Sequence, residues 1–511
     1  MYFSISSLKG ACLLFTFFIF FQFSFSQELM KYNHSSETSM PDWVKEMYKE
    51  NADPGSVLRL HDKYYADHTF VKNKHTQYLK KWLRSIGRSH SRTLTEDRAY
   101  LAKIDQAKSL RNNVASWTSL GPYDWDHSAA ARSYAPGSAH VYTVEQSISN
   151  PDILYAGTAT SGLWKSVNRG TSWVPLTNNI LVSTVYAIEI DHSNANIIYA
   201  SIGNTVRKST DGGISFLPTG DANFQSLSLT VRDIRMLPGN SNIIFACTNA
   251  GLFRTNNGGL TWTNAQSGDF QEVEIHPGNT SIIYGVRKNG TKTEFFKSLN
   301  TGASFTLTGI NWPVPPVDGD QERTEIAVSQ ANPNHVYAHC SGEANGGSGL
   351  YGVYVSTDQG ENWTFRCCGP QPAGPPSASN PNLMAWSDQG LDDGGQYYYD
   401  MGFAVSPTNG DSIFLAGVNL WVSGNGGTSF TCPAKWSHSE KPNYVHADIH
   451  DINYYNHTKE LWIACDGGIF YSADNGANFQ RRNVGITGTD FWGFGQGWWY
   501  GDVMLGGAYH N

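Results

Sequence analysis

The segment His446-Ala-Asp448-Ile-His450 places two imidazoles and a carboxylate at alternate positions. On an extended strand, alternate side chains leave by the same face. Such a set could ligate a divalent metal ion or position a proton donor. It could equally hydrogen-bond neighbouring loops and do nothing more. Asp400, just before Met401-Gly-Phe403-Ala-Val405, and Asp466, within Cys465-Asp466-Gly467-Gly468, sit at comparable places beside strand-like segments. Asp400, Asp448 and Asp466 are therefore candidate catalytic carboxylates. His446 and His450 are candidate ligand-binding residues. No cofactor is demanded; a divalent metal ion on His446, Asp448 and His450 is the one this pattern would accommodate.

Three long stretches add aromatic and acidic groups. Residues 308–325 hold Trp312, Asp318, Asp320 and Glu322; residues 367–400 hold Trp386, Asp388, Asp392, Asp393 and three consecutive tyrosines; residues 431–444 hold Trp436 and His438. Long loops on a rigid scaffold are where binding residues gather. Trp312, Trp386 and Trp436 are candidate platforms for a sugar ring or a peptide, although such loops can also pack on one another. Glycoside hydrolysis would need two carboxylates roughly 5–10 Å apart across a cleft. Asp318, Asp320, Glu322, Asp392, Asp393 and Asp400 are candidates, and the sequence does not pair them.

The elements that position these groups come from a repeat. The pattern Ser/Thr-x-Asp/Asn-x-Gly-x-Ser/Thr/Asn-Trp/Phe occurs seven times, with its acidic or amide position at Asn168, Asp211, Asn257, Asn300, Asp358, Asn425 and Asp474. The leading Ser or Thr recurs at intervals of 43, 46, 43, 58, 67 and 49 residues. Roughly 40–50 residues is the size of a four-stranded propeller blade. The turn explains the residue types. Short oxygens accept from turn N–H groups, Gly supplies positive φ, and the aromatic residue opens the next strand. The reading is an all-β, multi-bladed β-propeller with seven full blades and a partial eighth. The repeated turns would join third and fourth strands on one face, and the candidate chemistry would lie on the opposite face.

Trp117 to Leu120 resembles the strand that follows each repeated turn, as in Trp173-Val-Pro-Leu176, and suggests an outer strand lent to the last blade. Phe491 to Gly497 and Val503 to Tyr509 suggest two strands of an eighth blade that lacks its third strand and turn, so the ring reads as unfinished.

On these seven turns, the sequence resembles the Asp-box (BNR-repeat) propellers, which include sortilin/Vps10-type receptors, sialidases and xyloglucanase-like glycoside hydrolases. The leader helices and Trp117-Thr-Ser-Leu120-Gly121-Pro122 resemble those of large secreted Asp-box proteins of Bacteroidetes-type bacteria. The resemblance spans about residues 117 to 511. It implies that the seven turns are structural and peripheral, and that the function is extracellular ligand binding or, alternatively, glycoside hydrolysis. The sialidase branch carries an Arg-Ile-Pro segment, which is absent here.

The remaining sequence bounds these readings. Lys9 precedes a mainly apolar run from Ala11 to Phe25, and Ser24-Phe25-Ser26 supplies small residues, so residues 1–26 read as a secretory signal cleaved before Gln27. Residues 27–113 read as a helical leader: Trp43 and Met47 lie one turn apart, and Tyr78, Leu79, Trp82, Leu83 and Ile86 follow helical spacing, as do Tyr100, Leu101, Ile104 and Ala107. Residues 114–511 form the propeller. Cys247, Cys340 and Cys465 read as buried thiols, and Cys432 is expected to bond Cys367 or Cys368. The formal net charge of -8 argues against nucleic acid as a partner. The expected partners are a glycan or an extracellular protein, met by a secreted or cell-surface chain without a membrane span in its mature part.

Overall fold

The computed structural model describes residues 40–49, 52–73, 75–80, 137–178, 180, 184–369, 374–488, 491–496 and 504–508. Contacts divide the chain into two compact units, residues 1–115 and 116–511.

In the first unit, α1 spans Asp42–Met47 and α2 spans Pro54–Asp67. Asp53 caps α2 by accepting from the Ser56 amide at 2.8 Å, and Pro54 takes the first helical position. Residues 75–80 are also helical. Trp43, Val44, Met47, Val57 and Leu79 close over one another as a small core. The expected Trp43–Met47 face is thus an inward one. The helix expected around Tyr100 to Ala107, the signal segment and the Trp117 strand lie outside the described residues.

The second unit is a seven-bladed β-propeller. Each of seven sheets has four antiparallel strands, in chain order from the inside outward. The inner strands are Val141–Gln146, Ile188–Ile190, Val231–Met236, Asp269–Ile275, Asp320–Val328, Gly402–Val405 and Ile449–Tyr455. Blades one to seven are numbered in this order. Several outer strands are only two residues long, and Val174–Pro175 and Leu217–Pro218 each contain a proline that cannot donate to a further strand.

The repeated turns close as their chemistry requires. In blade two, the Ser209 hydroxyl donates to Asp211 Oδ1 at 2.8 Å and accepts from the Gly213 amide at 2.8 Å, while Asp211 accepts from the Ser215 amide at 2.9 Å. The turn glycine also makes room for the blade before it. Gly302 has φ +70, and a Cβ there would meet Phe245 of blade three at 2.2 Å. Cross-blade donors reinforce the contact: the Tyr199 hydroxyl and Lys208 Nζ of blade two reach the Gly258 carbonyl of blade three at 2.9 and 3.1 Å.

The seven full blades expected from sequence close the ring without the partial eighth. Blade seven packs directly on blade one. Trp462, Ala464, Ile469 and Tyr471 share a buried cluster with Val141, Val144, Trp164 and Trp173. Glu460, 4% exposed, accepts from Gln146 Nε2 at 2.7 Å and from the Tyr471 hydroxyl at 3.1 Å, and pairs with Arg169 at 3.2 Å. Among the described residues, the two further strands expected near the end, Phe491–Gln496 and Met504–Ala508, pair with each other in a separate two-stranded sheet. Here side-chain packing and a buried carboxylate bridge the seam.

The disulfide expectation is also corrected. Cys367 is bonded to Cys368, and Cys432 is a free thiol, as are the buried Cys247, Cys340 and Cys465. All three cysteines of the expected pair belong to one apolar cluster, but Cys367 has its partner at the adjacent residue.

Three outcomes follow. Glu460→Ala should destabilise the propeller by about 1–3 kcal/mol, the scale for leaving the buried Gln146 amide and Tyr471 hydroxyl without their acceptor, as read by chemical denaturation. Gly302→Ala should cost about 1–3 kcal/mol or more from overpacking on Phe245 together with the positive φ. Peptide mapping under denaturing, non-reducing conditions should find Cys432 alkylated and Cys367 and Cys368 protected.

Candidate functional site

The inner strands surround a central cavity of about 560 Å3. Every blade contributes, through residues such as Thr143, Ile188, Asp233, Glu272, Phe403 and Asp451, with Glu325 from blade five. A propeller's inner strands all run the same way, so their first residues ring one mouth. Tyr142, Asp269, Glu322 and His450 lie near those starts, and Tyr186 just precedes its strand.

The wall of the cavity is strongly charged, and its carboxylates are engaged. Three of them clasp the neighbouring blade's inner strand. Asp233 accepts from the Val273 amide at 3.2 Å, Glu272 from the Ile326 amide at 2.8 Å, and Asp451 from the Thr143 hydroxyl at 2.9 Å and the Val144 amide at 3.2 Å. Others pair with cations. Arg235 bridges Asp233 at 3.1 Å and Glu274 at 3.5 Å; Lys288 bridges Asp320 at 2.5 Å and Glu322 at 3.5 Å; Arg323 meets Glu325 at 2.5 Å; Arg232 meets Asp269. Burial pushes Glu274 and Glu325 up to about 7, against the opposing pull of Arg235 and Arg323. Burial, then the charges of Glu325 and Glu274, hold Glu272 well above the usual carboxylate range.

At the mouth, His450 is the centre of an aromatic and acidic constellation. Its Nε2 lies 2.7 Å from Asp466 Oδ1, and the Tyr399 hydroxyl donates to the same oxygen at 3.2 Å. Tyr142 and Tyr399 stand edge-on to the imidazole, with ring centroids 4.6 and 4.7 Å away. Tyr142 stacks on Tyr186 at 5.1 Å. Burial, followed by the Asp466 charge, pushes the Tyr399 phenol up, so the hydroxyl stays protonated and able to donate. His450 comes from the inner strand of blade seven, Asp466 from the loop between that blade's second and third strands, and Tyr399 from the connection into blade six.

The structure therefore brings together two of the residues singled out from sequence, His450 and Asp466. Asp400 lies near in charge but not in reach. It is 0% exposed, and neither of its carboxyl oxygens has a hydrogen-bond partner among the described residues. Burial, then the charges of Asp448 and Asp466, hold it well above the usual carboxylate range. A carboxyl sealed this completely cannot touch a substrate.

The metal reading of His446, Asp448 and His450 is not met. Among the described residues, no group of three or more His, Cys, Asp or Glu side chains could hold a metal ion. The inner strand begins only at Ile449, and Asp448 has φ +62, so the two-residue alternation is broken between His446 and His450. His446 is buried instead against Gly467, where a Cβ would meet its ring at 2.2 Å, and burial lowers its imidazole.

The three tryptophans are structural. Trp312 donates to the Thr293 carbonyl at 3.0 Å, stacks on Phe295 at 5.2 Å and is 8% exposed. Trp436 donates to the Trp386 carbonyl at 2.8 Å, and both pack with Val418 and Ala447. Asp392 accepts from the Trp386 and Ser387 amides at 2.8 and 2.9 Å, and Asp393 from the Ser348 amide at 2.7 Å, which fixes the loop around them. The aromatic groups of the mouth are tyrosines instead. Tyr142 and Tyr186 escaped the sequence reading; their signal is a tyrosine at or just before the first inner-strand residues of adjacent blades.

No protein-family model and no curated protein matches the chain. Solved structures do match. The GH74 xyloglucanase from Xanthomonas campestris is 17% identical, covers 74% of this chain and 59% of its own, and superposes with a TM-score of 0.53. A Niastella koreensis GH74 enzyme is 21% identical over 71% of this chain and 56% of its own, with a TM-score of 0.47. YCF48 from Cyanidioschyzon merolae is 12% identical over 66% of this chain and 97% of its own, with a TM-score of 0.43. The chain spans less than two thirds of the length of the GH74 structures it matches. The Xanthomonas likeness bears on the fold, and it agrees with the propeller described above.

The raised Glu274 and Glu325 set a pH dependence. Between the ordinary value of 4.5 and about 7, the folded protein holds protons that the unfolded chain releases. Stability should therefore fall as pH rises through that window and level off above it. Thermal melts at pH 5 and pH 8 should show a smaller loss for Glu274→Gln/Glu325→Gln than for the parent. Equal losses would show that these carboxyls do not carry the effect.

Proposed function

We propose that this chain is a non-catalytic, extracellular ligand-binding propeller. Its ligand, a glycan or a polypeptide, sits at the tyrosine-rimmed mouth around His450. The observation that carries this reading is the state of the cavity carboxylates. Each acid that lines the wall is tied to a cation or to a neighbouring strand, as described above, and Asp400 is sealed away. Two open carboxylates facing each other across a cleft, as glycoside hydrolysis needs, are not among them. The His450–Asp466–Tyr399 chain suits a rigid mouth. A buried hydrogen-bonded network locks rotamers and so presents aromatic faces without an entropic cost on binding. Secretion is supported by the charged, apolar and small-residue order of residues 1–26. Among the described residues, no helix is long and apolar enough to cross a membrane.

Glycoside hydrolysis is the second reading, favoured by the fold shared with a xyloglucanase and by a cavity-lining imidazole, His450, backed by the buried Asp466. A panel of polysaccharides and polypeptides, scored with the full chain for both binding and release of reducing ends, decides between them. Binding without release, weakened at least tenfold by Tyr142→Ala, is the expected result. Reducing-end release that is abolished by Asp466→Asn would replace the binding reading with the hydrolytic one.

A further inference from the structure

The collar and the charge balance of the cavity together select a ligand class. This step rests on the mouth being the binding site. Tyr186 is 47% exposed and Tyr398 40% exposed, although both line the cavity. Tyr142 stacks on Tyr186 with an interplanar angle of 9°, so the pair offers one continuous aromatic face. The face of a tyrosine ring is negative and attracts organic cations within about 6 Å of the centroid.

Beyond the collar, the wall holds the cations Arg232, Arg235, Lys288 and Arg323. None is spare. Arg232 and Arg323 each have a carboxylate, and Arg235 and Lys288 are each shared between two. Glu272 and Asp451 are held by neutral donors alone. The wall thus carries seven acidic side chains against four cations, and a cation brought beside the raised Glu272 would favour its charged form. An anionic ligand would be repelled. A cation would gain twice, at the collar and at the surplus carboxylates.

We infer that the cavity receives a lysine- or arginine-bearing polypeptide segment, the tyrosines gripping the stem and the surplus carboxylates meeting the cationic head. Depth favours a polypeptide over an amino sugar. Glu272 and Glu274 lie three and five residues along the inner strand from Asp269 at the mouth. At ~3.4 Å per residue they are about 10 and 17 Å inside. A thin, flexible stem on an extended chain reaches them; a pyranose carries its amine directly on the ring.

The test uses the full chain and calorimetric titration with four probes: acetylated, amidated heptalysine; the matching heptaglutamate; a chitosan hexamer; and a neutral glucan hexamer. Heptalysine should bind, heptaglutamate should not, and affinity should fall with salt. Tyr186→Ala/Tyr398→Ala, at partly exposed positions, should weaken heptalysine at least fivefold, and so should Glu272→Gln, titrated well below its own melting temperature because the residue also clasps the next blade. Glu440→Gln, an exposed acid away from the cavity wall, should have no effect. Equal heptalysine binding by all variants would mean diffuse surface attraction and would overturn the inference. Binding of the chitosan or glucan hexamer in preference to heptalysine would also overturn it, while leaving the mouth a binding site. If no probe binds and reducing ends are released from a polysaccharide, the proposed function itself fails.

Discussion

A propeller stands or falls on the seam between neighbouring blades. A four-stranded sheet in isolation exposes two faces, and here each face is covered by the next sheet around the ring. The seam is made at three radii. At the centre, Asp233, Glu272 and Asp451 accept backbone or hydroxyl donors from the following inner strand. In the middle, apolar side chains interdigitate, as Phe245 does beneath Gly302. At the rim, tyrosine and lysine of one blade reach the turn carbonyls of the next. The repeated turn is therefore not only a way to reverse the chain. It is the receptor for the preceding blade, and this is why its glycine cannot carry a side chain.

This constraint also decides what remains for function. Carboxylates on inner strands look, from composition, like a reserve of catalytic groups. Most are committed to the seam. Replacing one would loosen the ring before it altered any chemistry. The groups that face the mouth instead are those near the strand starts, where the chain enters from a connecting loop. Tyr142, Tyr186, Tyr398 and His450 are of this kind. They face a cavity whose charges are already fixed in place.

The fold was legible in the sequence because its signal is local. Seven turns of eight residues repeat the same hydrogen-bonding chemistry, and that chemistry acts within the turn itself, as in Ser209 and Asp211. The capped start of α2 at Asp53-Pro54 was equally local, though the periodicity search passed over it. The site was legible only in part. His450 and Asp466 were found because each flanks an inner or second strand of blade seven. His446 and Asp448 were misplaced because a single positive φ interrupts the alternation, and no residue type announces it. Trp312, Trp386 and Trp436 were misplaced because a loop tryptophan can face solvent or fold inward, and only tertiary contacts decide. Direct closure of blade seven on blade one was equally illegible, because the Glu460 clasp joins residues that no local pattern connects.

The seam between blades one and seven has a bearing on how the molecule is made. Thr143 meets Asp451 across 308 positions of sequence, and Gln146 meets Glu460 across 314. Contacts of such separation form late, since the intervening chain must first be ordered. During synthesis, blade one emerges early and cannot cover its outer face until blade seven arrives. A nascent chain therefore carries a ready-made docking surface for any blade-like sheet, including blade seven of another molecule. The same packing that closes one ring would then link two.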